Sequence, residues 1–295
     1  MRKVQMIVPL VMILALVIGC EDDESTNQPQ TGMLTLNLTG LENLGSDYAY
    51  EGWILVGGSP VSTGVFTVDD NGDLSASTFE LPLTDLQAAT KFILTIEPSP
   101  DSDPSPASTH YLAGDFSQGN ASLSVGDAAA LGDDFTASTG TYILATPTNN
   151  PSSDENSGIW FLDLSSGNPA QGLFLPTLPD GWKYEGWAVI DGTPVTTGTF
   201  LSATVGDDSA PYSGPENGPE FPGEDFLVNA PAGLTFPTDL AGGAAVISIE
   251  PDPDNSAAPF ALKPLVGNIP PDATDHMTYE MGNNASAFPA GTASW

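Results

Sequence analysis

The sequence predicts an all-β protein made of two tandem antiparallel β-sandwich modules, about seven strands each, with a barrel of the same strands as the less favoured alternative. Two observations predict it. Tyr50-Glu51-Gly52-Trp53 returns as Tyr184-Glu185-Gly186-Trp187, and at the same offset Pro60-Val61, Gly64 and Phe66 return as Pro194-Val195, Gly198 and Phe200. In addition, 31 glycines and 27 prolines among 295 residues punctuate short apolar stretches. That composition discourages helices and supplies the turns that many short strands need.

The chain opens with Arg2 and Lys3, an apolar run from Val4 to Ile18, and Gly19 directly before Cys20, the single cysteine. Charged start, apolar middle and small residue are the parts of an export signal. Leu16-Val17-Ile18-Gly19-Cys20 resembles the bacterial lipobox, which implies cleavage after residue 19 and lipid attachment at Cys20. Residues 1–19 are therefore read as a lipoprotein signal peptide and 20–31 as a lipidated acidic tether. Glu21-Asp22-Asp23-Glu24 and the polar residues after them lack the apolar surface that folding requires. The apolar run is short of the ~20 residues that span a bilayer. The expectation is a protein held to a bacterial membrane by its lipid, in the cell envelope outside the cytoplasm or at the cell surface.

Residues 32–137 form the first expected module. Met33 to Leu38 alternates apolar and polar as a half-buried strand does. Tyr48 to Val56 is the next strand, with Tyr48, Tyr50, Gly52 and Ile54 on one face and Glu51, Trp53 and Leu55 on the other. Gly57-Gly58-Ser59-Pro60 turns the chain into a strand from Val61 to Val68, and Asn71-Gly72 favours a tight hairpin after it. Strands follow at Ser77 to Leu81, Lys91 to Ile96, Tyr111 to Phe116 and Ala121 to Val125. Trp53 or Trp187 is expected as the large side chain of each core.

Residues 138–295 form the second. Thr141 to Thr146 and Gly158 to Leu164 lead into it as strands, and Ile249-Glu250-Pro251 answers Ile96-Glu97-Pro98. The offset is 19 residues larger by then, which places an acidic, Pro- and Gly-rich insertion within Gly206 to Glu224, read as an enlarged surface loop.

A formal net charge of −33 repels nucleic acid and anionic lipid, and suits cations, basic proteins or a saline medium. Nucleophilic catalysis finds little material: no cysteine remains after lipidation, and His110 and His276 lie in no triad-like motif. No Gly-rich phosphate loop links a strand to a helix.

Carboxylates are the remaining candidates. Asp69, Asn71, Asp73 and Glu80 reproduce oxygen-ligand positions of a calcium loop, with the glycine displaced to Gly72; a plain hairpin is the competing reading. Glu97 and Asp101 are matched by Glu250 and Asp254 in proline-rich loops expected to hold their carboxylates outward, toward calcium or a basic partner. The alternative is that each glutamate accepts neighbouring backbone amides. Tyr50, Glu51, Trp53, Tyr184, Glu185 and Trp187 are read as structural, the glutamates partly buried and hydrogen-bonded beside their tryptophans. No cofactor other than calcium is expected.

The repeated Tyr-Glu-Gly-Trp, the Gly-Ser-Pro-Val-Ser-Thr-Gly-Val-Phe from Gly58 to Phe66, and Ile96-Glu97-Pro98 together resemble the extracytoplasmic C-terminal domain of anti-sigma-K-type regulators. The resemblance covers about residues 33 to 125 and 170 to 270 and implies a β-sandwich outside the cytoplasm. Family members place that domain behind a membrane helix and a cytoplasmic sigma-binding segment; the sequence shows neither, so no contact with a sigma factor is expected. The function expected is a non-enzymatic binding or sensory surface component with an extracytoplasmic protein partner. The alternatives are a partner in an anti-sigma or envelope-stress system, and a carbohydrate-active or other hydrolytic enzyme.

Overall fold

Alternation of apolar and polar side chains decides which face of each strand turns inward, and turn residues decide where the chain reverses. A computed structural model describes residues 29–149, 153–254 and 256–295. The expected signal peptide, Cys20 and most of the expected tether lie outside the described residues. No described helix is long and apolar enough to cross a membrane.

The first half supplies β1 (Thr31–Thr39), β2 (Tyr48–Val56), β3 (Ser59–Phe66), β4 (Thr78–Pro82), the short helix α1 (Leu83–Ala88), β5 (Ala89–Pro98), β6 (His110–Asp115) and β7 (Asn120–Ser124). Next come β8 (Thr139–Leu144), β9 (Gly158–Trp160), β10 (Leu162–Asp163), β11 (Ala170–Gln171), β12 (Leu173–Phe174), β13 (Trp182–Ile190) and β14 (Thr193–Phe200). The chain finishes with β15 (Gly223–Asp225), β16 (Ala244–Pro251), β17 (Leu265–Asn268), β18 (Tyr279–Asn283) and β19 (Ala290–Ser294).

These pair into two large antiparallel sheets. The first runs β3-β2-β5-β6-β7-β19-β1-β4, and the second β14-β13-β16-β17-β18-β8-β9-β15 with β12 added beside β8. The two orders are the same once β8 is matched to β19 and β9 to β1. The position that β8 fills from within the second repeat is filled in the first by the C-terminal strand, which pairs with β1 from Thr35 to Thr39 and with β7 from Asn120 to Ser124. Residues 290–294, assigned from sequence to the second module, thus complete the first sheet. Ala290-Gly291-Thr292-Ala293-Ser294 carries almost no apolar alternation that would announce a strand, and its identity comes from two long-range partners.

Each sheet curls until its edges approach, nearer to a barrel than to two flat layers. In the first, the Phe79 ring of β4 lies 6.2 Å from Phe66 of β3. In the second, the insertion links the edges: Asp207 accepts the Gly223 amide of β15 at 3.0 Å while lying against Gly198 of β14. The insertion is thus a partly built-in wall as well as a surface loop, with Tyr212 packed on Phe226 and Phe236.

Tyr50 and Tyr184 line the interior, stacked on Phe66 at 5.5 Å and on Phe200 at 5.6 Å. The tryptophans expected to fill the cores face the other way, as strand alternation from Tyr50 and Tyr184 dictates. Trp53 belongs to a separate cluster with Ile93, Ala113 and Ala130. One continuous apolar core joins the two halves, where Tyr111 meets Trp182 at 5.8 Å and Phe260 at 5.4 Å.

Between β2 and β3 the pairing slips after Gly52, leaving Thr63 as an extra residue; between β13 and β14 it slips after Gly186, leaving Thr197. Gly64 and Gly198 next to these bulges have φ of 125° and 117°, angles that a side chain strains. The repeated glycines of the motif therefore build a repeated bulge.

Candidate functional site

The bulged hairpins and the strands beside them carry the repeated glutamates on the outer, tryptophan face. Glu51 stands opposite Thr95 and Glu185 opposite Ser248, so Glu97 and Glu250, two residues further along β5 and β16, share that face. In the first copy Trp53 Nε1 donates to Thr95 Oγ1 at 2.9 Å, the Thr95 hydroxyl donates to Glu97, and the Ala107 amide donates to the same carboxylate at 2.9 Å. In the second, Trp187 Nε1 donates to Ser248 Oγ at 2.7 Å, Ser248 donates to Glu250, and the Phe260 amide donates at 2.9 Å. Ser62 donates to Glu51 and Thr196 to Glu185. The Ser99–Pro100 and Asp252–Pro253 peptide bonds of the following loops are both cis.

All four glutamates are buried: Glu51 is 7% exposed, Glu97 3%, Glu185 5% and Glu250 1%. The outward projection expected for Glu97 and Glu250 does not occur. Both lie on their strands before the prolines can redirect the chain, and their carboxylates accept a hydroxyl and a backbone amide.

The copies diverge around this shared framework. Lys183, Thr199 and Asp252 stand in the second where Ala49, Val65 and Ser99 stand in the first. Lys183, Glu185, Thr196, Thr199, Glu250 and Asp254 line a cavity of about 330 Å³, with Ser209 of the insertion on its wall. Glu185, Glu250 and Asp254 each bring a carboxylate oxygen within 4.8 Å of the others, the one such trio among the described residues. Oε2 of Glu185 and Oε2 of Glu250 are buried without a hydrogen-bond partner. Burial pushes Glu185 up to about 7, helped by the nearby Asp254. It pushes Glu250 up to about 8, with Asp254 and Glu185 adding repulsion. Lys183 sits at the rim, 2.9 Å from Asp208 and 4.0 Å from Asp252.

In the first copy Glu97 is also raised, chiefly by burial and to a lesser degree by Glu51 and Asp101. Asp101 caps its own turn, accepting the Asp103 amide at 2.9 Å, and no trio forms there. The hairpin candidates are not assembled either. Asp69 accepts the amides of Asn71 and Asp73 at 2.9 and 3.0 Å, which lowers its pKa. Glu80 on β4 reaches across to β1, accepting the Thr31 hydroxyl at 2.6 Å. His110 bonds the Ala129 carbonyl and His276 its neighbour Asp275.

Sequence reading missed that Glu185 belongs with Glu250 and Asp254. The signal was present in the motif, since Glu185 and Glu250 recur together in both copies, but their adjacency depends on a strand register that local pattern does not give. Buried Glu224 and Asp225 were also unforeseen as such. They are satisfied by Ser213 and the Tyr212 amide, and by Thr148 and Trp160, and so anchor the insertion.

Comparison with known proteins adds one finding on the first copy. Residues 24–110 match the family model described as "Anti-sigma-K factor rskA, C-terminal". This stretch is similar to that family. The match runs through β1 to β5 and includes Tyr50-Glu51-Gly52-Trp53 and Ile96-Glu97-Pro98. No curated protein matches significantly, and no solved structure does.

Proposed function

We propose that the chain is a non-enzymatic, lipid-anchored protein of a bacterial cell envelope, in which a pair of anti-sigma-K-like β modules acts as a binding or sensory component outside the cytoplasm. The observation that carries this reading is the family match over residues 24–110, placed directly behind the lipobox-like Leu16 to Cys20. The continuous shared core supports it, because recognition loops are positioned best on a packed scaffold. Hydrolysis is disfavoured by the state of the carboxylates. Glu185 and Glu250 present little surface even to the cavity they line, and each commits an oxygen to a neighbouring hydroxyl, whereas a glycosidase pair must stand open to a bound sugar.

Fractionation of bacteria expressing the full chain and its Cys20→Ser variant tests the anchoring. The full chain is expected with the membranes and the variant in the soluble envelope fraction. Recovery of the unaltered chain in the cytosol would overturn the reading.

The same family match favours a second, more specific reading: the modules dock onto a membrane regulator carrying a similar domain. Crosslinking in intact cells should then recover such a regulator. Recovery of envelope partners that all lack it would remove this version and leave the first standing.

A further inference from the structure

We propose that Glu185, Glu250 and Asp254 form a divalent-cation site of the second module, and that the ion is calcium. The inference goes beyond the envelope reading and does not depend on lipid attachment or on any protein partner.

Three facts converge on it. The three carboxylates converge within 4.8 Å. Oxygen ligands of an ion bound at about 2.4 Å lie no farther apart than twice that distance, so the spacing is that of a shared first coordination sphere. Next, Oε2 of Glu185 and Oε2 of Glu250 are buried with no hydrogen-bond partner. A buried carboxylate oxygen without a donor is costly, and a cation removes that cost where no further hydrogen-bond donor has been supplied. Finally, the other oxygens of the pair are already fixed: Oε1 of Glu185 takes the Thr196 hydroxyl, and Oε1 of Glu250 takes the Ser248 hydroxyl and the Phe260 amide. Each carboxylate is thus oriented by one oxygen and left open at the other, the arrangement in which neighbouring groups position metal ligands.

Asp254 reaches the same point from the loop after Pro253, its Oδ1 held by the Ser256 amide at 2.8 Å. The donors are all oxygen, which selects a hard cation over zinc or copper. Three carboxylates favour calcium over magnesium, which keeps most of its water and takes one or two. At the rim Lys183 pairs with Asp208 at 2.9 Å, and half-buried Lys263 is drawn to Glu42 first and to Glu250 second. The raised values of Glu185 and Glu250 agree, since they register charge repulsion and burial that an ion would offset.

The first module is an internal control. It keeps Glu51, Glu97, Asp101, the hydroxyl relay and the tryptophan, yet neither Glu51 nor Glu97 leaves a buried oxygen without a partner, and the three do not converge. The repeat scaffold alone does not make the site. Lys183, Thr199, Asp252 and the insertion surround it only in the second copy.

The test is calorimetric titration of the full-length protein in detergent with calcium chloride, and with magnesium chloride at matched ionic strength. Thermal melts of every variant run alongside. About one calcium per chain is expected, with a Kd of roughly 0.1–1 mM as for extracellular calcium modules, and weaker magnesium binding. Asp254→Asn, on a partly exposed loop, should weaken calcium at least about tenfold without lowering the ion-free melt. Glu250→Gln should abolish binding. Asp101→Asn, its counterpart in the first module, should leave calcium binding unchanged. Absence of saturable calcium binding, or binding unchanged by both Asp254→Asn and Glu250→Gln, would overturn the site and would leave the fractionation result for the envelope reading untouched.

Discussion

The two halves of the molecule share a strand order, a glycine-built bulge and a Trp-hydroxyl-Glu relay, yet they differ in two ways that matter. The second half closes its sheet with its own β8, whereas the first borrows β19 from the C-terminus. The second gathers three carboxylates into a charged cavity, whereas the first keeps the equivalent glutamates satisfied and turns Asp101 onto its own loop. A repeat can therefore preserve a scaffold in both copies while local substitutions turn one copy into a binding site, and a borrowed strand can make two copies one folding unit.

Removing the borrowed strand should break the comparison most severely. Deletion of residues 289–295 strips β1 and β7 of their shared partner and exposes both edges in the middle of the first sheet. The expected loss is on the order of 5 kcal/mol or more, a third or more of the stability of a typical domain. Denaturant unfolding of the truncated chain checks it, and an unchanged midpoint would show that β19 is dispensable.

Next in size is the bulge. A methyl group at Gly186 would crowd the Thr197 hydroxyl and come within 2.6 Å of the Phe161 ring, and at Gly52 it would meet Thr63 and the Phe92 ring at 2.9 Å. Gly186→Ala and Gly52→Ala should each cost about 1–3 kcal/mol by overpacking. Similar melting shifts for the two would confirm that the bulges are equivalent, and a cost in one copy alone would separate them.

A smaller effect is expected from the tryptophans. Trp187→Phe and Trp53→Phe each remove a donor from the hydroxyl that serves a buried glutamate, worth about 1 kcal/mol by denaturant unfolding. The Trp187 variant should be the worse of the two, because Glu250 already carries an unpaired oxygen.

The mildest difference is in pH dependence. Glu185 and Glu250 are raised from 4.5 to about 7 and about 8, so between these values the folded chain holds protons that the unfolded chain has released. Their contribution is fully present below about 4.5 and is lost as pH rises through the folded values. Without calcium, the melting temperature should fall from about pH 5 to about pH 8 and level off above. Glu250→Gln should flatten part of that slope, and Glu42, Asp207 and Glu224, raised by burial as well, should keep the rest. An identical slope in the variant would show that Glu250 is ionised throughout.

Much of the fold was legible because strands announce themselves by alternation and turns by glycine and proline. Seven strands of the first half, from β1 to β7, fall within a few residues of the segments read from sequence. The same strands were compatible with a sandwich or a barrel, and their curling into near-barrels was not decided locally, since it depends on accumulated twist and on contacts such as Phe79 over Gly64. Helix α1, a single short segment after Pro82, and β19, whose five residues are small and without alternation, gave no local signal. At the site, Glu250 and Asp254 were legible as candidates from the repeated proline loop. Glu185 was read as structural because alternation shows only that it shares a face with Trp187, whereas the register of β13 against β16 is what sets it opposite Ser248 and near Glu250.

The central claim is that only the second copy of the shared motif is a ligand site. The most direct measurement is a crystal structure of the protein grown in calcium, with anomalous scattering used to locate the ion. The account predicts one peak about 2.3–2.6 Å from oxygens of Glu185, Glu250 and Asp254 and none beside Glu51, Glu97 and Asp101. An empty cavity in which Glu185 and Glu250 face each other across a shared proton, or equal peaks in both copies, would contradict it.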